Sequence, residues 1–346
     1  MKLKIPINNQ EELKNLIKIG IDEIYCGVLT DEWLKSYSNI ASINRVERVK
    51  GNLRSYKELS EVVKNAHNFG VQVYLTLNAL YTPSQQDILK KEVDGILKTD
   101  VDGFIICDLG MLSLLNSLNT GKRIHASTGL TMFNSQTVEF LRKRGVSRIV
   151  FPRALRGEEI AKLLNDNRDM EFEAFVMNGR CKNIDGFCTF QHGISDLDHS
   201  TLSSKLVYSG ISHHLQEIFV KSPSFIRKHI MKFAGTQLCS TACSIDYQVD
   251  SDNGSLGLSS TDFIDNIFSC GGCYIHRMAK WKMTSVKIVG RSFPIQRKIK
   301  DALYIRRLID RAEDGDLSDS DFKDHAQKLY KDIYKKPCEH KCYYYD

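Results

Sequence analysis

No stretch of this chain approaches the roughly 18 uninterrupted apolar residues that a membrane-spanning helix requires. The opening MKLKIPINNQEELKN has no apolar run of the kind that directs secretion. Nor is charge of one sign in large excess: 48 basic against 42 acidic residues leave a net of +6, which permits an RNA or anionic partner without arguing for one. Two hydrolase signatures are missing as well, the Gly-x-Ser-x-Gly elbow and the His-Glu-x-x-His helix. These absences point to a globular cytoplasmic chain without a membrane span.

What the chain does have is cysteine. Ten cysteines in 346 residues, in a compartment that keeps thiols reduced, read as metal-binding or catalytic rather than disulfide-forming. Eight of them follow residue 180 and fall in couples. The stretch Met170 to Phe190 starts as an alternating run that reads as a buried strand to Met177, breaks at Asn178-Gly179, and presents Cys181 and Cys188 in a polar loop. Cys239 and Cys243 make the next couple. Thiolate sulfur is a soft ligand, and four thiols in two couples suit an iron–sulfur cluster or tetrahedral zinc.

A second set lies toward the C-terminus, with Cys270 and Cys273 in CGGC and Cys338 and Cys342 in CEHKC. Cysteines in a terminal tail need a reason to stay put. The two couples are expected to share one 4Fe-4S cluster or one zinc ion, tying the tail to the body after a helix over 294–312, with His276 and His340 close in sequence. Cys26 and Cys107 read as small buried hydrophobes, Cys26 being placed where it would reach a cluster or substrate.

Before residue 178, short β-rich runs alternate with amphipathic helical runs, the pattern of repeated βα units on a parallel sheet. Seven strands are predicted there, over 3–7, 22–28, 71–79, 101–109, 122–128, 147–154 and 171–177, with an eighth at 284–290. This predicts an α/β fold, a TIM-like (β/α)8 barrel with a cysteine-bearing insertion after strand seven and a cysteine-bearing C-terminal extension; a doubly wound open sheet is the alternative. The divisions are 1–178 for the first seven units, 179–255 for the insertion, 256–312 for barrel closure and 313–346 for the extension.

Chemistry in such a barrel sits at the carboxyl ends of the strands. Reading each strand to its end gives Tyr25, Asn78, Asp108, His125 with Ser127, Arg153, Glu173 with Asn178, and Lys287 with Arg291. Arg153, Lys287 and Arg291 suit carboxylates or phosphates. His125 and Asp108 are candidates for proton transfer, while Asn78 and Glu173 would orient a ligand. Tyr25, Ser127 and Asn178 complete the candidate binding surface. An ion pair between Glu173 and Arg153 on neighbouring strands is the plain structural reading of those two residues. His125 and Ser127 stand two apart on one strand with parallel side chains, which disfavours a hydrolytic dyad.

From Asn52 to Cys243 the chain resembles the collagenase-like peptidase family U32, through AHNFGVQVYLTLNAL, VDGFIICDLGML, RIHASTGLTMFNSQTVEFLRKRGVSRIVFPRAL, EFEAFVMNGRCKNIDGFC and CSTAC, with SVKIVGR later. Despite the peptidase name, the resemblance implies 4Fe-4S proteins that perform oxygen-independent hydroxylation of an RNA base or a ubiquinone precursor, some using prephenate as hydroxyl donor. It implies Cys181, Cys188, Cys239 and Cys243 as ligands of a 4Fe-4S cluster. It implies too a small anionic substrate or RNA as partner, with a related subunit forming a heterodimer as a further possibility. The chain departs from the family at Asn178-Gly179, where His-Gly is usual, at Ser244, where Arg is usual, and in the insertion from 194 to 232, predicted helical. A peptidase, and a non-catalytic electron-transfer or scaffold subunit, are the other two function classes.

Overall fold

Strands here are short runs in which every second side chain is apolar and meets a helix, while the residues between face one another across a closed sheet. The computed structural model describes residues 1–37, 43–44, 51–180, 184–186, 247–251, 254–258, 269–315 and 317–344. Its strands are β1 (Lys2–Pro6), β2 (Glu23–Cys26), β3 (Gln72–Leu77), β4 (Gly103–Ile106), β5 (Arg123–Ala126), β6 (Arg148–Val150), β7 (Glu171–Met177), β8 (Tyr247–Ser251), β9 (Gly254–Leu258) and β10 (Ser285–Ile288). Eight of them close a barrel in the order β1-β10-β7-β6-β5-β4-β3-β2, every pairing parallel, while β8 and β9 form a separate antiparallel pair. The fold is a (β/α)8 barrel, as the alternating pattern predicted, and the open-sheet alternative is set aside by the pairing of β1 with β10.

The helices are α1 (Gln10–Ile17), α2 (Asp31–Tyr37), α3 (Tyr56–His67), α4 (Gln86–Leu97), α5 (Leu109–Ser117), α6 (Ser135–Arg142), α7 (Gly157–Asp166), α8 (Ile275–Lys280), α9 (Ile295–Glu313) and α10 (Asp319–Tyr334). Local chemistry sets their starts. Side chains of Asn9, Ser55, Asp108, Asn134 and Ser318 each accept from a backbone N–H three residues on, satisfying a donor the helix leaves unpaired. Helical period sets the inner face: α3 buries Leu59, Val62, Val63 and Ala66. Each fully buried aliphatic side chain of that kind contributes about 1.5–3 kcal/mol relative to exposure.

Between β7 and β10 the predicted insertion shows the β8–β9 pair, and β9 runs across the boundary drawn at 255. The first cysteine set, Cys181, Cys188, Cys239 and Cys243, and the predicted helical stretch 194–232 lie outside the described residues. The C-terminal extension folds as α10 followed by a tail that returns to the barrel, where Cys342 forms a parallel bridge with Cys270 and Cys270 an antiparallel bridge with Met177.

Candidate functional site

Period two divides each barrel strand into an outward apolar row and an inward row. Here the inward row is charged. Lys4 on β1, Glu23 on β2, Tyr74 on β3, His125 on β5, Arg148 on β6, Glu173 on β7 and Lys287 on β10 are all buried. The Lys4 ammonium lies 2.5 Å from Glu173 and 3.1 Å from Glu23, and over the Tyr74 ring at 4.3 Å. Arg148 forks onto both Glu23 oxygens at 2.5 and 2.9 Å and reaches Glu173 at 3.3 Å. Lys287 stands 3.1 Å from Glu173 and 4.3 Å over the Tyr25 ring. Buried ions persist only where each is answered by opposite charge, and in this lumen each is, although Glu173 Oε1 meets Lys287 as an ion pair and has no hydrogen-bond partner among the described residues.

Protonation follows from the same contacts. Burial pushes the Glu173 carboxyl up, but Lys287, Lys4 and Arg148 together hold it down to about 2. Glu23 is driven well below the usual carboxylate range by Lys4 and Arg148, against the opposing effect of burial. Burial draws Lys287 down to about 8, with Glu173 opposing. His125 falls well below its ordinary value, first through burial and then through Lys4 and Arg148. An ammonium only donates, so the 3.2 Å contact of Lys4 Nζ with His125 Nδ1 makes Nδ1 the acceptor and leaves the proton on Nε2. Nε2, together with Tyr74 Oη and Ser285 Oγ, has no hydrogen-bond partner among the described residues. The lumen thus holds a neutral imidazole with an unmatched N–H and an amine that titrates close to neutrality.

Around this centre the predicted mouth residues separate into groups. Tyr25 faces inward and donates to the Ile288 carbonyl at 3.3 Å. Arg291 is buried and engaged with the Asn44 carbonyl at 2.6 Å, Thr76 Oγ1 at 3.0 Å and Asn52 Oδ1 at 3.4 Å. With no carboxylate paired to it among the described residues, burial lowers its guanidinium to about 10. Arg153 binds Asp185 and the Gly179 carbonyl, so the predicted Arg153–Glu173 ion pair is replaced: Glu173 points into the lumen and Arg153 leaves the barrel with the loop after β6. An anion reaching Arg153 or Lys287 would have to compete with Asp185 or Glu173.

Asp108 does not join His125. Its Oδ1 accepts from Met111 N–H at 2.7 Å as the cap of α5, and no hydrogen bond links the two among the described residues. Ser127 follows His125 but shares no hydrogen bond with it, its N–H donating to the Ile106 carbonyl at 2.7 Å. No nucleophile, base and orienting group therefore assemble here among the described residues. Asn78 is half-buried, its Oδ1 has no partner among the described residues, and its backbone carbonyl accepts from the Cys107 thiol at 2.8 Å. Asn178 adopts a left-handed φ of 64° and donates to Asp301 at 2.7 Å, while Arg297 donates to its Oδ1 at 3.2 Å. That conformation suits Asn and turns the chain out of β7 toward the cysteine segment. Cys26 and Cys107 are buried. The expectation that Cys26 reaches the mouth is corrected: it packs with Ile24 in the apolar layer outside the strands, where burial lifts its thiol to about 12.

The second cysteine set comes together. Cys270, Cys273, Cys338 and Cys342 line one cleft of about 270 Å³, beside His276 and His340. Burial raises the Cys270 thiol to about 12 and the Cys273 thiol to about 11, with neighbouring sulfurs adding to each rise. Among the described residues no three His, Cys, Asp or Glu side chains already stand at metal-ligand spacing. Arg180, the residue before Cys181, donates to the Cys342 carbonyl at 2.7 Å, so the chain entering the first cysteine set passes beside the second.

Sequence reasoning missed Lys4, Glu23, Tyr74 and Arg148. Their signal was a charged or hydroxyl side chain set in a strand run, with apolar neighbours on both sides in LKI and VYL but on one side only in DEI and SRI, which in a closed barrel marks the inward row.

The profile of peptidase family U32 matches residues 8–203, more than half of the sequence. The chain belongs to peptidase family U32. An uncharacterized protease of Methanocaldococcus jannaschii is 30% identical over 192 residues, 54% of this chain and 43% of that protein. The tRNA hydroxylation protein P of Haemophilus influenzae is 26% identical over 197 residues, 57% of this chain and 40% of that protein. The 23S rRNA 5-hydroxycytidine C2501 synthase of Escherichia coli is 27% identical over 139 residues, 40% of this chain and 20% of that protein. The chain thus spans less than half the length of these curated relatives. The U32 match takes in Cys181 and Cys188, whereas Cys239, Cys243 and all four cysteines of the cleft follow its end. Among the described residues no helix is long and apolar enough to cross a membrane.

Proposed function

We propose that this U32 chain is a cytoplasmic iron–sulfur protein acting in the oxygen-independent hydroxylation of an RNA base. The observation that carries this reading is its likeness to two proteins named for hydroxylated RNA, the tRNA hydroxylation protein P and the 23S rRNA 5-hydroxycytidine synthase. Cys181, Cys188, Cys239 and Cys243 would hold a 4Fe-4S cluster, their thiolate chemistry being that of clusters bound by four cysteines. Such a cluster, when bound, would supply one-electron redox chemistry. The chain's own residues would orient and protonate: Lys287 as an amine poised near neutrality, His125 as a neutral N–H donor, and Tyr25 and Asn78 as the wall against which the substrate rests.

Two measurements test the reading together. Protein purified without oxygen is expected to carry iron and sulfide in equal amounts, and Cys181→Ala to lose them. RNA from cells lacking the protein, digested to nucleosides, is expected to lack one species heavier by a single oxygen. A colourless protein without iron, or an unchanged nucleoside profile, sinks it.

A further inference from the structure

The cleft outside β7 is built by backbone before any side chain is considered. Cys270 N–H donates to the Lys341 carbonyl at 2.9 Å, Tyr343 N–H donates to the Cys270 carbonyl at 2.8 Å, and Gly271 N–H donates to the Val176 carbonyl at 2.7 Å. These bonds fix the tail, the Cys270 segment and the end of β7 as three adjoining strips, so that Cys342 and Cys270 share one rung. Gly272 N–H then points at Cys270 Sγ at 3.3 Å, an N–H to sulfur contact of the kind that favours thiolate. That turn has no room for a side chain, since a Cβ on Gly272 would lie 2.4 Å from Tyr304 Oη.

A second observation lies in the same wall. His276 is 2% exposed and lines the cleft, yet neither ring nitrogen has a hydrogen-bond partner among the described residues, the Asp319 carboxylate standing 3.6 Å from Nε2. Buried imidazole nitrogens without partners are costly unless something else meets them.

We propose that Cys270, Cys273, Cys338 and Cys342 together hold a single zinc ion, which clasps the C-terminal tail to the end of β7. Two residues separate the first couple and three the second, both within the ligand spacing of closed four-thiolate zinc sites. A cysteine sulfur swings about one torsion, so thiols already gathered by backbone need only rotamer changes to close on an ion. Metal of this kind adds folding free energy outright, and here it would reinforce the backbone bonds that hold residues 341–343 against Cys270. His276 backs the site from within the cleft wall.

The test uses the full chain, purified without oxygen, with metals counted by mass spectrometry. Wild type is expected to carry one zinc per chain; Cys338→Ser with Cys342→Ser is expected to lose it, leave iron and sulfide unchanged, and raise deuterium uptake at residues 337–344. Loss of iron and sulfide in place of zinc overturns the single-ion assignment, and unchanged metal content, or wild type without zinc, overturns the site. Should the double variant fail to fold, wild type titrated with p-hydroxymercuribenzoate decides: release of one zinc per chain, read with a colorimetric chelator, supports the clasp, and no release overturns it. Iron and sulfide in wild type judge the hydroxylation reading separately.

Discussion

The barrel lumen and the cysteine cleft are both assembled from distant residues, but the lumen is buried while the four cysteines of the cleft are half-buried, and the two are balanced in different ways. In the lumen each charge has its counter-charge inside the ring: Lys4 against Glu23 and Arg148 against Glu173 on adjacent strands, and Lys4 against Glu173 and Arg148 against Glu23 across the interior. In the cleft the four thiols line one space together with Lys323, Arg277 and Asp319, the Gly272 N–H pointing at Cys270 Sγ, and neighbouring sulfurs raise the thiols of Cys270 and Cys273. Rigid strands carry their balance internally; where the 270–273 turn meets residues 338–342, the proposed zinc ion would supply it.

The comparison can be broken most directly in the lumen. Arg148→Ala leaves Glu23 and Glu173 buried without their guanidinium, and removing one partner of such a pair costs about 3–5 kcal/mol. The urea midpoint should fall accordingly, and a loss below about 1 kcal/mol would show that water enters the lumen and screens it.

Acid sharpens the contrast next. Glu173 is held to about 2 against an ordinary 4.5, so between those values the unfolded chain binds protons that the folded chain refuses, and stability falls as pH drops through that window. Glu23 is lowered too and adds in the same sense. His125, pushed below 6.5, starts the decline earlier, because the unfolded imidazole gains a proton while the folded one stays neutral. Stability measured from pH 7 to 3 should therefore decline in two stages, with His125→Gln removing the upper one; a flat profile to pH 4.5 in wild type would contradict the neutral, buried imidazole.

The smallest effect separates a cap from a proton carrier. Asp108→Ala should cost about 1 kcal/mol through the lost α5 cap. If Asp108 does no more than cap, hydroxylated nucleoside levels in cells should stay near wild type, and a loss of tenfold or more would restore it to the chemistry.

Most of the barrel was legible because strand and helix periods are written into single segments. The eighth strand was found across a long insertion on the strength of SVKIVG alone and lies at Ser285–Ile288. The lumen was only half legible: His125, Glu173 and Lys287 were named as mouth residues, but their partners Lys4, Glu23 and Arg148 sit on strands whose pairing is set by closure, which no single segment encodes. The ion pair expected between Arg153 and Glu173 failed for a related reason, since Asp185, which takes Arg153, follows β7 with no periodic signal. The couples Cys270–Cys273 and Cys338–Cys342 could be matched from spacing, whereas the bridge that seats Cys342 against Cys270 was visible only in three dimensions.

The place of the interruption has a consequence for how the molecule is made. Roughly a hundred residues separate Met177 from Ser285, yet β7 and β1 both need β10 as their neighbour. At about 5–20 residues per second, a ribosome spends roughly 5–20 s on that stretch. For that interval the nascent sheet has seven staves and two bare edges, each able to pair with a stranger. Closure of the hoop is a late event, and until it happens the charged side chains of β1, β2 and β6 remain open to water on one side. Whatever must be loaded into the segments emerging in that interval can enter before the last stave seals the ring.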